Sequence, residues 1–187
     1  STNTTTLNSL KAMEIMDKFS PPIRSTIESK LFSDSLKVRN QTISLLVKFP
    51  PSDKACEKLL EIANNKENAS QIRVMALEAI TKKTKSLSHE DLRFLIEISK
   101  SKSNPFLGIQ SARAIGNISL KVNETDQISN IYKALETASP IQINHLLKPF
   151  ESLNSEEINQ IEKYNKNIKT FLNPRLDDDT DRKKTLE

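Results

Sequence analysis

Few side chains in this sequence are spaced for chemistry, and each group that is also has a structural role. His89-Glu90 is the pair with metal-ligand character, because an imidazole beside a carboxylate can hold a transition metal. A working centre needs further ligands converging on it, yet the chain has two histidines, His89 and His145, and Glu follows only the first. Ser88-His89-Glu90-Asp91 also has the order of a helix start, a hydroxyl at the cap and an acid three residues on, and we read it so. Cys56, the single cysteine, lacks the His and Asn partners that activate a thiol nucleophile and is expected to be half-buried packing. The acidic run Asp177-Asp178-Asp179-Thr180-Asp181 lacks the Gly and the closing Glu of a calcium loop. Lys82-Lys83-Thr84-Lys85 is the dense basic run, and at a helix C-terminus it complements the helix dipole. No catalytic, cofactor-binding or metal-ligating residue is assigned, and the chain is expected not to be an enzyme.

Composition limits the elements that must carry these residues. Two glycines in 187 residues leave no phosphate loop, no dinucleotide fingerprint and few of the tight turns that β-hairpins need. Aromatic residues are also sparse, at 5% with no Trp, so the expected class is all-α. One cysteine cannot close an internal disulfide. The net charge of +4 is mild for a dedicated nucleic-acid binder. No apolar run approaches the length of a membrane span.

Between those limits the chain repeats itself. Val38 is followed at offsets 4, 7 and 8 by Thr42, Leu45 and Leu46, and Ile72 by Ala76, Ala79 and Ile80. Leu107 is followed by Ser111, Ala114 and Ile115, and a weaker copy runs from Ile143 through Leu147 to Phe150. Those offsets trace one stripe of an α-helix, and the copies recur every 34 to 36 residues. Further amphipathic helices are expected between them, over 52–64, 88–100 and 123–137, with caps at Ser52, Ser88 and, further on, Asn154. Each period is thus a helix, a turn and a second helix, which must stack on its neighbours to bury its apolar face.

The third copy, Asn104-Pro105 through Leu107, Ser111, Ala114-Ile115-Gly116 and Ile118, resembles the second helix of a HEAT repeat, and more narrowly the HEAT-like repeat shared with phycobilin lyases. Val38-Arg39 and Ile72-Arg73 match its Val-Arg pair, while Gly108 replaces the Arg in the third copy and Thr42 and Leu45 replace small residues in the first. The resemblance spans roughly residues 21–153, with 154–172 as a terminal capping helix. It implies an all-α, right-handed α-α superhelix, an armadillo-type solenoid of about four helix pairs with flanking capping helices. It implies little chemistry. An iron hydroxylase built from HEAT repeats uses several His-Glu pairs, where this chain has one. HEAT-like alkylpurine glycosylases use aromatic residues in a strongly basic face, where this chain has only Tyr132 and Tyr164 beyond its Phe residues.

Second helices line the concave side of such stacks, so the resemblance points to the residues they turn away from the core. Helical geometry assigns Arg39, Ile43, Val47, Arg73, Val74, Leu77, Ile109 and Arg113 to a partner-binding face, aliphatic with arginines nearby. The expected function is a protein–protein interaction or scaffold module that takes another protein on this face. A homodimer, or burial under the helix of residues 7–19, would be its other occupants. The competing function is a nucleic-acid-binding or glycosylase-like HEAT protein. No cofactor is expected. The expected organisation is a flexible leader at 1–6, one solenoid domain at 7–172 and a mixed-charge, disordered tail at 173–187. The Ser/Thr/Asn-rich start without an initiator Met suits an exported, periplasmic or lipid-anchored protein after processing as well as a cytoplasmic one.

Overall fold

The computed structural model describes residues 2–14, 20–121 and 123–164. Among them every regular element is helical: α1 Thr2–Met13, α2 Pro21–Ser29, α3 Leu36–Lys48, α4 Asp53–Asn64, α5 Ser70–Thr84, α6 His89–Lys100, α7 Pro105–Gly116, α8 Thr125–Leu135, α9 Pro140–Leu146 and α10 Ser155–Tyr164. Two 3-10 turns, Lys30–Phe32 and Lys148–Phe150, follow α2 and α9.

The starts follow local chemistry. Ser52, Ser88 and Asn104 each accept a backbone N–H three residues on, at Ala55, Asp91 and Leu107. Ser139 and Gln142 form a reciprocal capping box, with Pro140 at the first helical position. Asn154 and Glu157 exchange the same two bonds at the start of α10. The expected helices over 52–64, 88–100 and 123–137 are therefore present, the last two residues shorter at each end.

Packing joins these helices in two ways. α4 and α5, α6 and α7, and α8 and α9 contact each other across short connections. In addition α1, α3, α5, α7 and α9 form a row, each touching the next. The recurring stripe is the glue. Val38, Thr42, Leu45 and Leu46 are buried, as are Ala76, Ala79 and Ile80, then Ser111, Ala114 and Ile115, then Leu147 and Phe150. Leu10 joins Ile27, Val38, Leu45 and Phe49 in a smaller cluster that ties α1 and α2 to α3, while the main cluster runs from Leu31 to Ile161.

The amino-terminal boundary differs from the expected one. α1 begins at Thr2, within the segment 1–6 read as a flexible leader, with Leu10 and Met13 anchoring it on the smaller cluster and the helix extending back through weak helix formers. The expected continuation of that helix to Phe19, the end of the capping helix beyond Tyr164 and the 173–187 tail lie outside the described residues.

Candidate interaction surface

On α3, α5 and α7 the face of the α1–α3–α5–α7–α9 row carries residues, all but one of them polar, that recur once per period. One set is Gln41, Met75 and Gln110, a second Ser44, Glu78 and Arg113, and a third Lys48, Lys82 and Asn117. The first two sets meet the preceding helix of the row at α3 and at α7, and the third set meets it at every step. Glu14, after α1, accepts from Gln41 Nε2 at 2.6 Å and from Ser44 Oγ at 3.5 Å. Glu78 on α5 accepts from Gln110 Nε2 at 3.0 Å and pairs with Arg113 Nε at 3.2 Å. The third set binds the preceding helix's C-terminal turn: Lys48 donates to Glu14 O, Lys82 to Val47 O and Asn117 to Thr81 Oγ1. A cation there satisfies a carbonyl that the helix itself leaves open.

Charge is sorted between the two helices of each pair. α3, α5, α7 and α9 carry Lys37, Arg39, Lys48, Arg73, Lys82, Lys83 and Arg113 against one acid, Glu78. That acid is neutralised in place, its side chain 3% exposed against 47% for its partner Arg113. The opposing helices α4, α6 and α8 hold Asp53, Glu57, Glu61, Glu90, Asp91, Glu97 and Asp126 against five cations. Arg39 and Arg73 turn toward the opposing helices and Lys83 pairs with Asp53 of α4 at 3.6 Å, which leaves Lys37, Lys48, Lys82 and Arg113 for the row's own side, with Lys148 past α9.

The expected aliphatic face is not there as drawn. Ile43, Val74 and Leu77 are at most 1% exposed and belong to the main core. The reason lies in the position of α5, which contacts α3, α4 and α7, so its middle is enclosed from Ala76 through Thr81. Val47 and Ile109 are half-buried. Arg73 is structural, with Nε donating to Ala63 O at 2.6 Å and its guanidinium 3.9 Å from the Phe94 ring centre. Arg39 lies in a cleft between α3 and α4. Of the eight expected residues, only Arg113 is both exposed and on the polar ladder. The residues missed are Glu14, Gln41, Lys48, Lys82, Gln110 and Asn117, while Ser44 and Glu78 stand at positions that helical geometry turns outward. Their signal was the recurrence of polar types at one position per period. Three large exposed apolar side chains stand instead at helix starts, Leu36 in α3, Phe106 in α7 and Ile141 in α9, and two elsewhere, Phe32 and Leu60.

The groups first considered for chemistry sit apart. His89 is exposed at the start of α6, and Glu90 pairs loosely with Lys66 at 4.0 Å. Among the described residues no three His, Cys, Asp or Glu side chains cluster as metal ligands. Cys56 is half-buried, and burial, reinforced by the Asp53 charge, pushes its thiol above the ordinary value, away from a reactive thiolate.

His145, on α9, is the titrating group of this face. Burial, then Lys148 and Arg113, hold its imidazole below the ordinary 6.5. The unfolded chain therefore binds this proton more readily than the folded one. Its contribution to stability is intact above about pH 6.5 and is lost as the pH falls through the window below that value. The thermal midpoint of the native protein is expected to drop more between about pH 7.5 and about pH 5 than that of His145→Gln. Parallel profiles for the two proteins would contradict the assignment.

Fold and surface together define a class, an all-helical stack with a polar, electropositive face built one helix per period. No family model, curated protein or solved structure matches the chain. No described helix is long and apolar enough to cross a membrane.

Proposed function

We propose that this chain is a non-enzymatic protein-interaction module, a HEAT-like right-handed α-α solenoid of four helix pairs whose second-helix face binds an acidic segment of a partner protein. The pairs are α2 with α3, α4 with α5, α6 with α7 and α8 with α9, with α1 and α10 as caps. The packing of α3 on α5, α5 on α7 and α7 on α9 supports the solenoid reading, because each helix meets its counterpart one period on. The observation that carries the function is the sorting of charge. Second helices hold seven cations, three of them turned to the opposing helices, and one neutralised acid, while the opposing helices are net acidic. Such a face steers an acidic chain and fixes its register, and a ladder already held by cross-helix bonds loses little entropy on docking. Leu36, Phe106 and Ile141 at the helix starts supply exposed apolar anchors.

The same charge would attract phosphates, so nucleic acid is the competing ligand. Against it, the sequence has no Trp and Tyr132 is 6% exposed, which leaves little platform for stacking bases. Fluorescence polarisation separates the two. A labelled Asp/Glu-rich peptide of about twelve residues is expected to bind, more weakly as salt rises. Lys48→Glu combined with Lys148→Glu, both exposed, should reduce that affinity about tenfold or more. Preference for duplex or single-stranded DNA of equal charge would transfer the function to the competing class.

A further inference from the structure

One motif of the sequence has no role in the surface described so far, the acidic run Asp177-Asp178-Asp179-Thr180-Asp181. Four carboxylates in five residues make it the densest acidic stretch of the chain, which elsewhere sets no more than two acids side by side. It lies outside the described residues, and its charge and its tether are what connect it to the second-helix face.

The cations of that face stand in a line. Lys48, Lys82 and Arg113 belong to the last turns of α3, α5 and α7, and Lys148 follows α9. Those last turns lie side by side, because Lys82 donates to Val47 O, Asn117 donates to Thr81 Oγ1, and Gly116 packs on His145 O. The one acid of these four helices, Glu78, is held by Gln110 and by Nε of Arg113, which remains 47% exposed. Lys82 uses one of its three donors on Val47 O.

The chain is long enough to bring the run there. α10 starts just past Lys148 and is ten residues long, so Tyr164 stands about 15 Å from its start. Residues 165–176 span at most about 40 Å. Neighbouring helices of the row are about 8–10 Å apart, so Lys148, Arg113 and Lys82 are within that reach. Five extended residues cover about 16 Å, the length of two such steps.

We infer that residues 177–181 dock in the same molecule across Lys148, Arg113 and Lys82, and so compete with an acidic partner for the second-helix face. The inference rests on the reading of that face as the surface for an acidic ligand. The carboxylates would meet the ammonium groups and the guanidinium in charge-assisted hydrogen bonds. A tethered segment is present at about millimolar effective concentration, so a contact weak in a free peptide still closes the face for part of the time. The apparent affinity for a partner then falls in proportion to the open fraction. Arg182, Lys183 and Lys184 follow the run, so the contact is local to the four aspartates rather than a matter of bulk charge.

The test compares the native chain with a variant carrying Asp177→Asn, Asp178→Asn, Asp179→Asn and Asp181→Asn. By fluorescence polarisation at low salt, the variant is expected to bind the labelled Asp/Glu-rich peptide at least ~5-fold more tightly. A charge-matched control, Glu57→Gln, Glu90→Gln, Glu97→Gln and Asp126→Asn, removes four exposed acids from the opposing helices and should stay within about twofold of native. Without peptide, the backbone amides of Lys82, Arg113 and Lys148 should differ in chemical shift between native and tail variant. Equal peptide affinity, with amide differences confined to residues 173–187, would overturn the inference and leave the binding face standing. Peptide bound by neither protein would remove both. An equal gain in the control would assign the effect to net charge and overturn the docking. So would a sedimentation coefficient that rises with concentration in the native chain alone, which would place the run on a second copy.

Discussion

Leu77→Ala is expected to lower the unfolding free energy by about 3–5 kcal/mol. Leu77 is 0% exposed, and α5 is held by α3, α4 and α7, so the cavity left by truncation has packed helices around it and little freedom to collapse. The double variant Val74→Asp with Leu77→Asp goes further and places two carboxylates where neither has water or a partner. It is expected to show no cooperative transition in urea followed by circular dichroism. A double-aspartate protein that folds with a native midpoint would mean that this face of α5 is open to solvent, as the helical geometry of the sequence alone had suggested.

Gly116→Ala is expected to cost about 2–3 kcal/mol, although alanine is the better helix former. A Cβ there would lie 2.6 Å from His145 O, and the obstacle is the backbone of α9, which cannot rotate away. α7 and α9 would have to part along the contact that joins them. Gly108 offers a graded comparison. Its Cβ would meet Gln142 Nε2 at 2.9 Å and Ser99 O at 3.3 Å. The first is a side chain, but moving it strains the 2.7 Å bond that Gln142 donates to Ser99 O. Gly108→Ala should therefore destabilise, but by less than Gly116→Ala, in the same denaturation series. A neutral or stabilising Gly116→Ala would show that the two helices stand further apart than described.

The sequence makes some levels of this organisation readable and hides others for physical reasons. Helix starts are local, so Ser52, Ser88 and Asn104 are visible as caps. The buried stripe is visible because Val38, Ile72 and Leu107 begin the same pattern one period apart. A two-sided reading of each helix then fails at α5. With neighbours on three sides, Val74 and Leu77 are core on what the pattern treats as an outer face. Glu78 is a harder case. A carboxylate in mid-helix reads as solvent-facing, but it is 2% exposed because Gln110 and Arg113, more than 30 residues on, come back to it. The first turn of α1, before the helix expected from residue 7, is hidden for the opposite reason. Threonine and asparagine are weak helix formers, and the helix depends on Leu10 and Met13 docking beside Ile27 and Val38. The charge sorting was within reach of the sequence, since it needs only the helix assignment and the signs of the residues.

The central claim is that the second-helix face is the binding surface. Backbone amide chemical-shift mapping with the acidic peptide tests it most directly. The account predicts shifts at Lys37, Gln41, Ser44, Lys82, Gln110, Arg113 and Lys148, residues contributed by successive members of one row. Shifts confined to α4, α6 and α8, or no shifts at a peptide concentration that saturates the polarisation signal, would contradict it.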